Sequence, residues 1–275
     1  MSYIFLNLKR FDIPPERGGV NRIAPPAEWG AYIAKNAGDK LGAHADTTFA
    51  AFFPEAHIIP AESALQDNPL QIGCQGVHRA DTAVGGGFGA FTTLLTANAA
   101  AELGCKWAII GHCEERAEMS GVITAAGGDT GVISKLLNEA VACAVNAGLN
   151  VLYCIGEKAE EVPVWRDVLK AQLNDGLGGI DLSKVVIAYE PVWAIGPGKM
   201  PPERERIQET AAYIKSVVNC PVVYGGGLKS DNAAMLASIP EIDGGLIALT
   251  RFAGAIGFYP DEYIEIINIY NETRG

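Results

Sequence analysis

The chain has 275 residues, 49% of them hydrophobic and 19% charged, and its 21 Lys and Arg against 32 Asp and Glu leave a formal charge of −11. That much apolar material excludes a disordered chain, and the acidic balance disfavours nucleic acid and anionic membranes as partners, because their phosphates are held by Lys and Arg clusters. No apolar run reaches the roughly 20 residues of a membrane-spanning helix and residues 1–5 carry no secretory leader, so a soluble, cytoplasmic protein is expected.

Short apolar, β-rich runs occur at 3–9, 48–53, 70–75, 106–111, 150–155, 185–190, 221–224 and 244–249. Segments such as 26–37, 133–147, 162–173, 203–218 and 261–271 carry apolar residues at helical spacing. Strands alternating with amphipathic helices, with the strands apolar almost throughout, indicate a parallel sheet covered by helices. Eight such units fit a closed (β/α)₈ barrel, an α/β fold, in a single domain spanning 1–275. The six cysteines, Cys74, Cys105, Cys113, Cys143, Cys154 and Cys220, form no C-x-x-C pair. Their spacing suits neither a disulfide framework nor a zinc site, so free thiols in a reducing compartment and no metal site are expected.

In a barrel the active site forms at the C-terminal ends of the strands, which selects Asn7, Lys9, Gln75, His112, Glu114, Glu190 and the glycines at 225, 226 and 227. Glu190 closes an apolar run, where desolvation disfavours the charged carboxylate and strengthens it as a base toward a C–H bond. Its plainer reading is a salt-bridged strand end. Behind it, Pro191 and Trp193 suit a hinge, and Gly196 and Gly198 suit a mobile tip. His112 lies at a strand-to-helix junction, where backbone N–H groups disfavour the imidazolium and leave a neutral ring able to donate to a carbonyl. A capping or packing histidine is the alternative. Lys9 suits a phosphate or an enolate oxygen, against the alternative of an ordinary surface lysine.

Asn7-x-Lys9, Gly111-His112-x-Glu114 and the run from Ala188 through Tyr189, Glu190, Pro191, Val192, Trp193, Ala194 and Ile195 to Gly196 together resemble the triosephosphate isomerase family. Tyr224-Gly225-Gly226, Asp243-Gly244 and the dimer-loop motif Gly89-Ala90-Phe91-Thr92 are similar to further signatures of that family. The resemblance implies an aldose–ketose isomerase with Glu190 as the base, His112 as a neutral electrophile and Lys9 stabilising an enediolate. It also implies that Asn7 sits beside Lys9, Glu114 supports Lys9 and Gly196 offers a lid amide to the phosphate. No cofactor is implied, the partner is a small phosphorylated sugar, and the assembly is a homodimer.

The departures cluster at the phosphate end. Gly227 stands where the family usually has Ser, and Ala248 and Leu249 stand where it has a Gly-Gly pair, followed by Thr250 and Arg251. Arg251 or Lys229 is a candidate substitute cation. Cys113 replaces a usual Ser, Glu115 a usual Arg and Pro197 a usual Thr, while Thr93 and Leu94 replace a Gly-Glu pair. The connections at 14–26, 117–131 and 249–260 are longer than usual. Three readings follow: interconversion of dihydroxyacetone phosphate and glyceraldehyde 3-phosphate, isomerisation of a tetrulose or pentulose phosphate, and a barrel that binds a metabolite without catalysis. A Schiff-base aldolase acting through Lys9 is a further possibility that the Glu190 segment disfavours.

Overall fold

The computed structural model describes every residue except Ala43, Ala45 and Pro197, so the lid departure at Pro197 lies outside the described residues. Eight parallel strands close into a barrel in sequence order: β1 (Ser2–Asn7), β2 (Thr47–Phe53), β3 (Leu70–Cys74), β4 (Trp107–Ile110), β5 (Asn150–Ile155), β6 (Val185–Tyr189), β7 (Val222–Tyr224) and β8 (Gly244–Ile247). Closure comes from β1, which pairs Ile4 with Phe49 of β2 on one side and Tyr3 with Gly244 of β8 on the other. The expected (β/α)₈ architecture is therefore present, with each expected run on its own strand.

Around the barrel lie α1 (Trp29–Gly38), α2 (Glu55–Ala64), α3 (Ala97–Glu102), α4 (Cys113–Ala125), α5 (Ile133–Asn146), α6 (Trp165–Leu177), α7 (Arg204–Val217), α8 (Ala233–Ala237) and α9 (Pro260–Arg274). Alternation along each strand divides the core in two. Phe5, Phe52, Trp107, Ile109, Leu152, Val186, Val223 and Leu246 fill the barrel interior. Phe5 meets Trp107 edge-on at 4.9 Å between ring centroids. Their neighbours Ile4, Leu6, Phe49, Ile110, Val151 and Ile187 face outward and pack under the helices. In α5 the buried Ile133, Leu137, Ala140, Val141 and Ala144 recur at three- and four-residue intervals and form the face laid on the barrel.

The segment read as a long connection after the fourth strand is mostly α4. It buries none of its residues, so it has no apolar stripe that periodicity can detect. All six cysteines are free thiols, with Cys113 and Cys143 partly exposed and the other four buried. Among the described residues no helix is long and apolar enough to cross a membrane.

Candidate active site

Lys9 follows β1 with a backbone φ of +43°, in the left-handed region that costs a residue with a Cβ about 1–2 kcal/mol. Two side chains fix this conformation. The Lys9 N–H donates to Asn7 Oδ1 at 3.1 Å, and the Gln75 side-chain amide donates to the Lys9 carbonyl at 2.9 Å. The ammonium then lies 2.6 Å from Glu114 Oε1. Burial pushes the Glu114 carboxyl up, but the Lys9 hydrogen bond and charge together with His112 bring it below its ordinary value.

His112 is the N-cap of α4, and its Nδ1 accepts the Glu114 N–H at 3.2 Å. That bond assigns the ring proton to Nε2, which lies 3.3 Å from Glu190 Oε1. Burial, reinforced by the charge of Lys9, brings His112 down to about 4, so the ring is neutral near pH 7. The peptide before it is held at both ends. Glu115 accepts the Gly111 N–H at 2.6 Å, and Arg116 Nε donates to the Gly111 carbonyl at 2.8 Å while its guanidinium also reaches the Tyr153 hydroxyl.

Glu190 is 2% exposed. One oxygen accepts the Cys113 N–H at 2.9 Å, and the other, Oε1, has no hydrogen-bond partner. Desolvation outweighs the Cys113 amide and the Lys9 charge and pushes the carboxyl up to about 8. Close backbone approach sets its position: a Cβ on Gly156 would sit 1.7 Å from the Glu190 carbonyl oxygen and 3.3 Å from its Cβ. Gly156→Ala therefore displaces the carboxylate. We expect a loss of about 1–3 kcal/mol in urea unfolding and a fall in kcat of up to about a hundredfold, as for a misplacement near 1 Å. Unaltered kinetics in this variant would mean that the carboxylate position does not limit the rate.

The segment after Glu190 is anchored on Glu157, which is fully buried. Its Oε1 accepts from the Tyr189 hydroxyl at 3.0 Å, Trp193 Nε1 at 3.0 Å and the Arg206 guanidinium at 3.1 Å. Trp193 lies in the helical turn Val192–Ala194 that leads to Gly196.

At the phosphate end of the resemblance, Gly196 and Gly227 both have positive φ, +119° and +100°, and Ala248 and Leu249 follow β8 half-buried. The chain then turns through a narrow hairpin in which Arg251 pairs with Gly257. Arg251 is bound to Glu262 and lies 4.0 Å from the centre of the Tyr259 ring, and the Thr250 hydroxyl donates to Glu262 Oε2 at 2.9 Å. Lys229 Nζ lies 4.2 Å from the centre of the Phe252 ring. Both candidate substitute cations are thus already in contact with the last loop.

Asn7, Lys9, His112 and Glu114 line one cavity of about 390 Å³ together with Arg10, Phe11 and Gln75, and Glu190 lies directly behind His112. Gly196, Gly227, Ala248 and Leu249 follow β6, β7 and β8 on the same end of the barrel but do not line that cavity. The sequence marked Cys113 and Glu115 only as departures from the family pattern, and it gave no sign of the Cys113 amide contact or of the roles of Arg116 and Glu157. Glu157, two residues past β5, satisfies the same strand-end rule that selected the others. Among the described residues, His112, Cys113 and Glu190 bring three potential metal-ligand atoms within 4.8 Å of one another, a grouping that no sequence spacing reveals.

The family model described as triosephosphate isomerase matches residues 27–268. The triosephosphate isomerase of Halorhodospira halophila is 36% identical over 251 residues, covering 86% of this chain and 90% of the relative. That of Prosthecochloris aestuarii is 31% identical over 258 residues, covering 89% and 92%. The crystal structure of the Bartonella henselae triosephosphate isomerase superposes with a TM-score of 0.73 over 98% of this chain and 99% of that one, at 23% identity, a likeness of fold.

Proposed function

This chain belongs to the triosephosphate isomerase family, and from that membership we propose that it interconverts dihydroxyacetone phosphate and glyceraldehyde 3-phosphate through an enediolate. One observation carries the reading: a desolvated carboxylate, a neutral imidazole 3.3 Å from it and a lysine ammonium on the same cavity meet at one barrel mouth. Glu190 takes the proton from the carbon beside the carbonyl and returns it to the neighbouring carbon. Burial without a hydrogen bond on Oε1 favours this proton uptake. His112, neutral because it is buried, gives its Nε2 proton to the carbonyl oxygen and takes the hydroxyl proton from the neighbouring oxygen in return, so one proton moves between the oxygens as one moves between the carbons. Lys9 stabilises the developing enediolate, and Asn7 and Glu114 hold Lys9 in place. No cofactor takes part in these steps.

Gly196 and the backbone amides at Gly227, Ala248 and Leu249 bind the phosphate in this reading. The Leu249 side chain and the Glu262-anchored hairpin favour a second reading, a four- or five-carbon ketose phosphate, because they replace the flat surface that a glycine pair presents. A panel of kcat/KM values separates the two. Dihydroxyacetone phosphate should exceed every larger ketose phosphate, and a tetrulose or pentulose phosphate better by tenfold or more would establish the second reading.

Arg251→Ala and Lys229→Ala test the cations. Because Glu262 and Tyr259 already engage Arg251, we expect its loss to raise KM by no more than about fivefold, the range of a partly exposed ion pair, with kcat little changed. A far larger rise, restored by Lys, would make Arg251 a direct phosphate ligand.

The working unit is a single-domain barrel that assembles as a homodimer through the third connection, where Val84 and Phe88 are fully or nearly fully exposed. Sedimentation at micromolar concentration tests this assembly. Six free thiols fit a reducing cytoplasm.

A further inference from the structure

We propose that the catalytic centre is also a binding site for a thiophilic divalent cation, Zn²⁺ in the first instance, held by His112, Cys113 and Glu190 and excluding substrate when occupied. Imidazole, thiol and carboxylate are the usual donors to zinc, and three of them with an open fourth position form a common kind of site. Here Nε2 of His112 lies 3.3 Å from Glu190 Oε1 and 4.0 Å from Cys113 Sγ, and the three donor atoms lie within 4.8 Å of one another. A tetrahedral zinc needs donor-to-donor edges of about 3.3–3.8 Å, as its usual bond lengths dictate, so a small turn of the Cys113 side chain closes the set.

A second observation points to a ligand independently of that grouping. Glu190 is 2% exposed, yet its Oε1 has no hydrogen-bond partner and faces the imidazole. A cation there would satisfy an oxygen that the protein leaves unpaired. Ser, which the family resemblance leads one to expect at position 113, is a poor zinc donor, so the site depends on the thiol of Cys113.

Binding has a defined proton balance. The thiol proton goes to water, as does the carboxyl proton wherever Glu190 carries one. The imidazole stays neutral: its proton moves from Nε2 to Nδ1 and the metal takes its place on Nε2. Nδ1 then gives up the Glu114 N–H and turns its proton toward the Glu114 carboxylate, whose Oε2 already lies 3.8 Å away, an outer partner of the kind metal-bound histidines normally have. Thiolate and carboxylate balance the charge of the ion.

The test uses the full-length protein, with Co²⁺ as a spectroscopic probe and Zn²⁺ as competitor. Binding should give one equivalent of Co²⁺ with a thiolate-to-cobalt charge-transfer band, displaced by Zn²⁺. In Cys113→Ser the band should vanish and Zn²⁺ affinity, measured by equilibrium dialysis, should fall at least tenfold. Cys143→Ser, which alters the other partly exposed thiol, should leave both unchanged. A band retained in Cys113→Ser, or lost in Cys143→Ser, would overturn the site. The inhibition arm rests on the proposed isomerase activity, whereas the spectroscopic arm does not, so the two can fail separately. Zn²⁺ should inhibit competitively with the sugar phosphate and reversibly on chelation, and the ratio of zinc-free to zinc-treated rates should approach one in Cys113→Ser. Equal inhibition of both proteins would contradict the site.

Discussion

Glu190→Gln lowers kcat for triose phosphate interconversion by about a thousandfold, within the 10²–10⁴ range of a positioned general base and equivalent to about 4 kcal/mol of transition-state stabilisation. KM should change by less than about threefold, because an amide of the same shape keeps the Cys113 N–H contact and leaves the cavity lining intact. The same substitution removes a carboxyl buried at 2% exposure with one oxygen unpaired, so the variant should unfold at equal or higher urea concentration than the parent. Loss of activity accompanied by loss of stability would mean that Glu190 holds the fold rather than moving the proton. The steady-state rate and the urea midpoint, measured on one preparation, decide between these outcomes.

Arg206→Ala should be the most destabilising single change of a polar residue near the site. Glu157 is fully buried, three donors share its Oε1, and its Oε2 has no partner, so the Arg206 guanidinium at 3.1 Å is the cation that balances it. Breaking a buried pair by removing one member leaves an uncompensated charge and costs about 3–5 kcal/mol. In a domain of this size that lowers Tm by roughly 6–20 °C. Arg206 also stacks on Trp165 at 4.2 Å, so the variant loosens α7 from α6 as well. The double replacement Glu157→Gln with Arg206→Met should recover much of the loss, because neither charge then remains buried. A Tm within 2 °C of the parent in Arg206→Ala would show that Glu157 is neutralised by other means.

Strands and the candidate site residues were legible in the sequence for the same reason: both depend on local pattern. The eight apolar runs coincide with the strands because a barrel strand is buried on both faces, and Lys9, His112 and Glu190 stand out because each follows such a run. Helices without a regular apolar stripe of several turns were not legible. α4 buries nothing, α2 carries Pro60 in its interior, and α8 spans only Ala233–Ala237. Contacts made by backbone groups were hidden as well. The Cys113 amide that holds Glu190, the Gly111 peptide clamped between Glu115 and Arg116, and the close approach of Gly156 to Glu190 are made by atoms every residue has, so composition does not mark them. The Glu157 anchor joins residues from β6, the turn beyond it and α7, a juxtaposition that only the closed barrel creates.

Solvent hydrogen incorporation tests the proton-transfer account most directly. Triose phosphate isomerised by the protein in deuterated water should carry deuterium at the carbon to which Glu190 returns the proton, and Glu190→Gln should lose exchange and isomerisation together. Isomerisation and deuterium incorporation that both persist at the parent's rate in Glu190→Gln would contradict the assignment of Glu190 as the base.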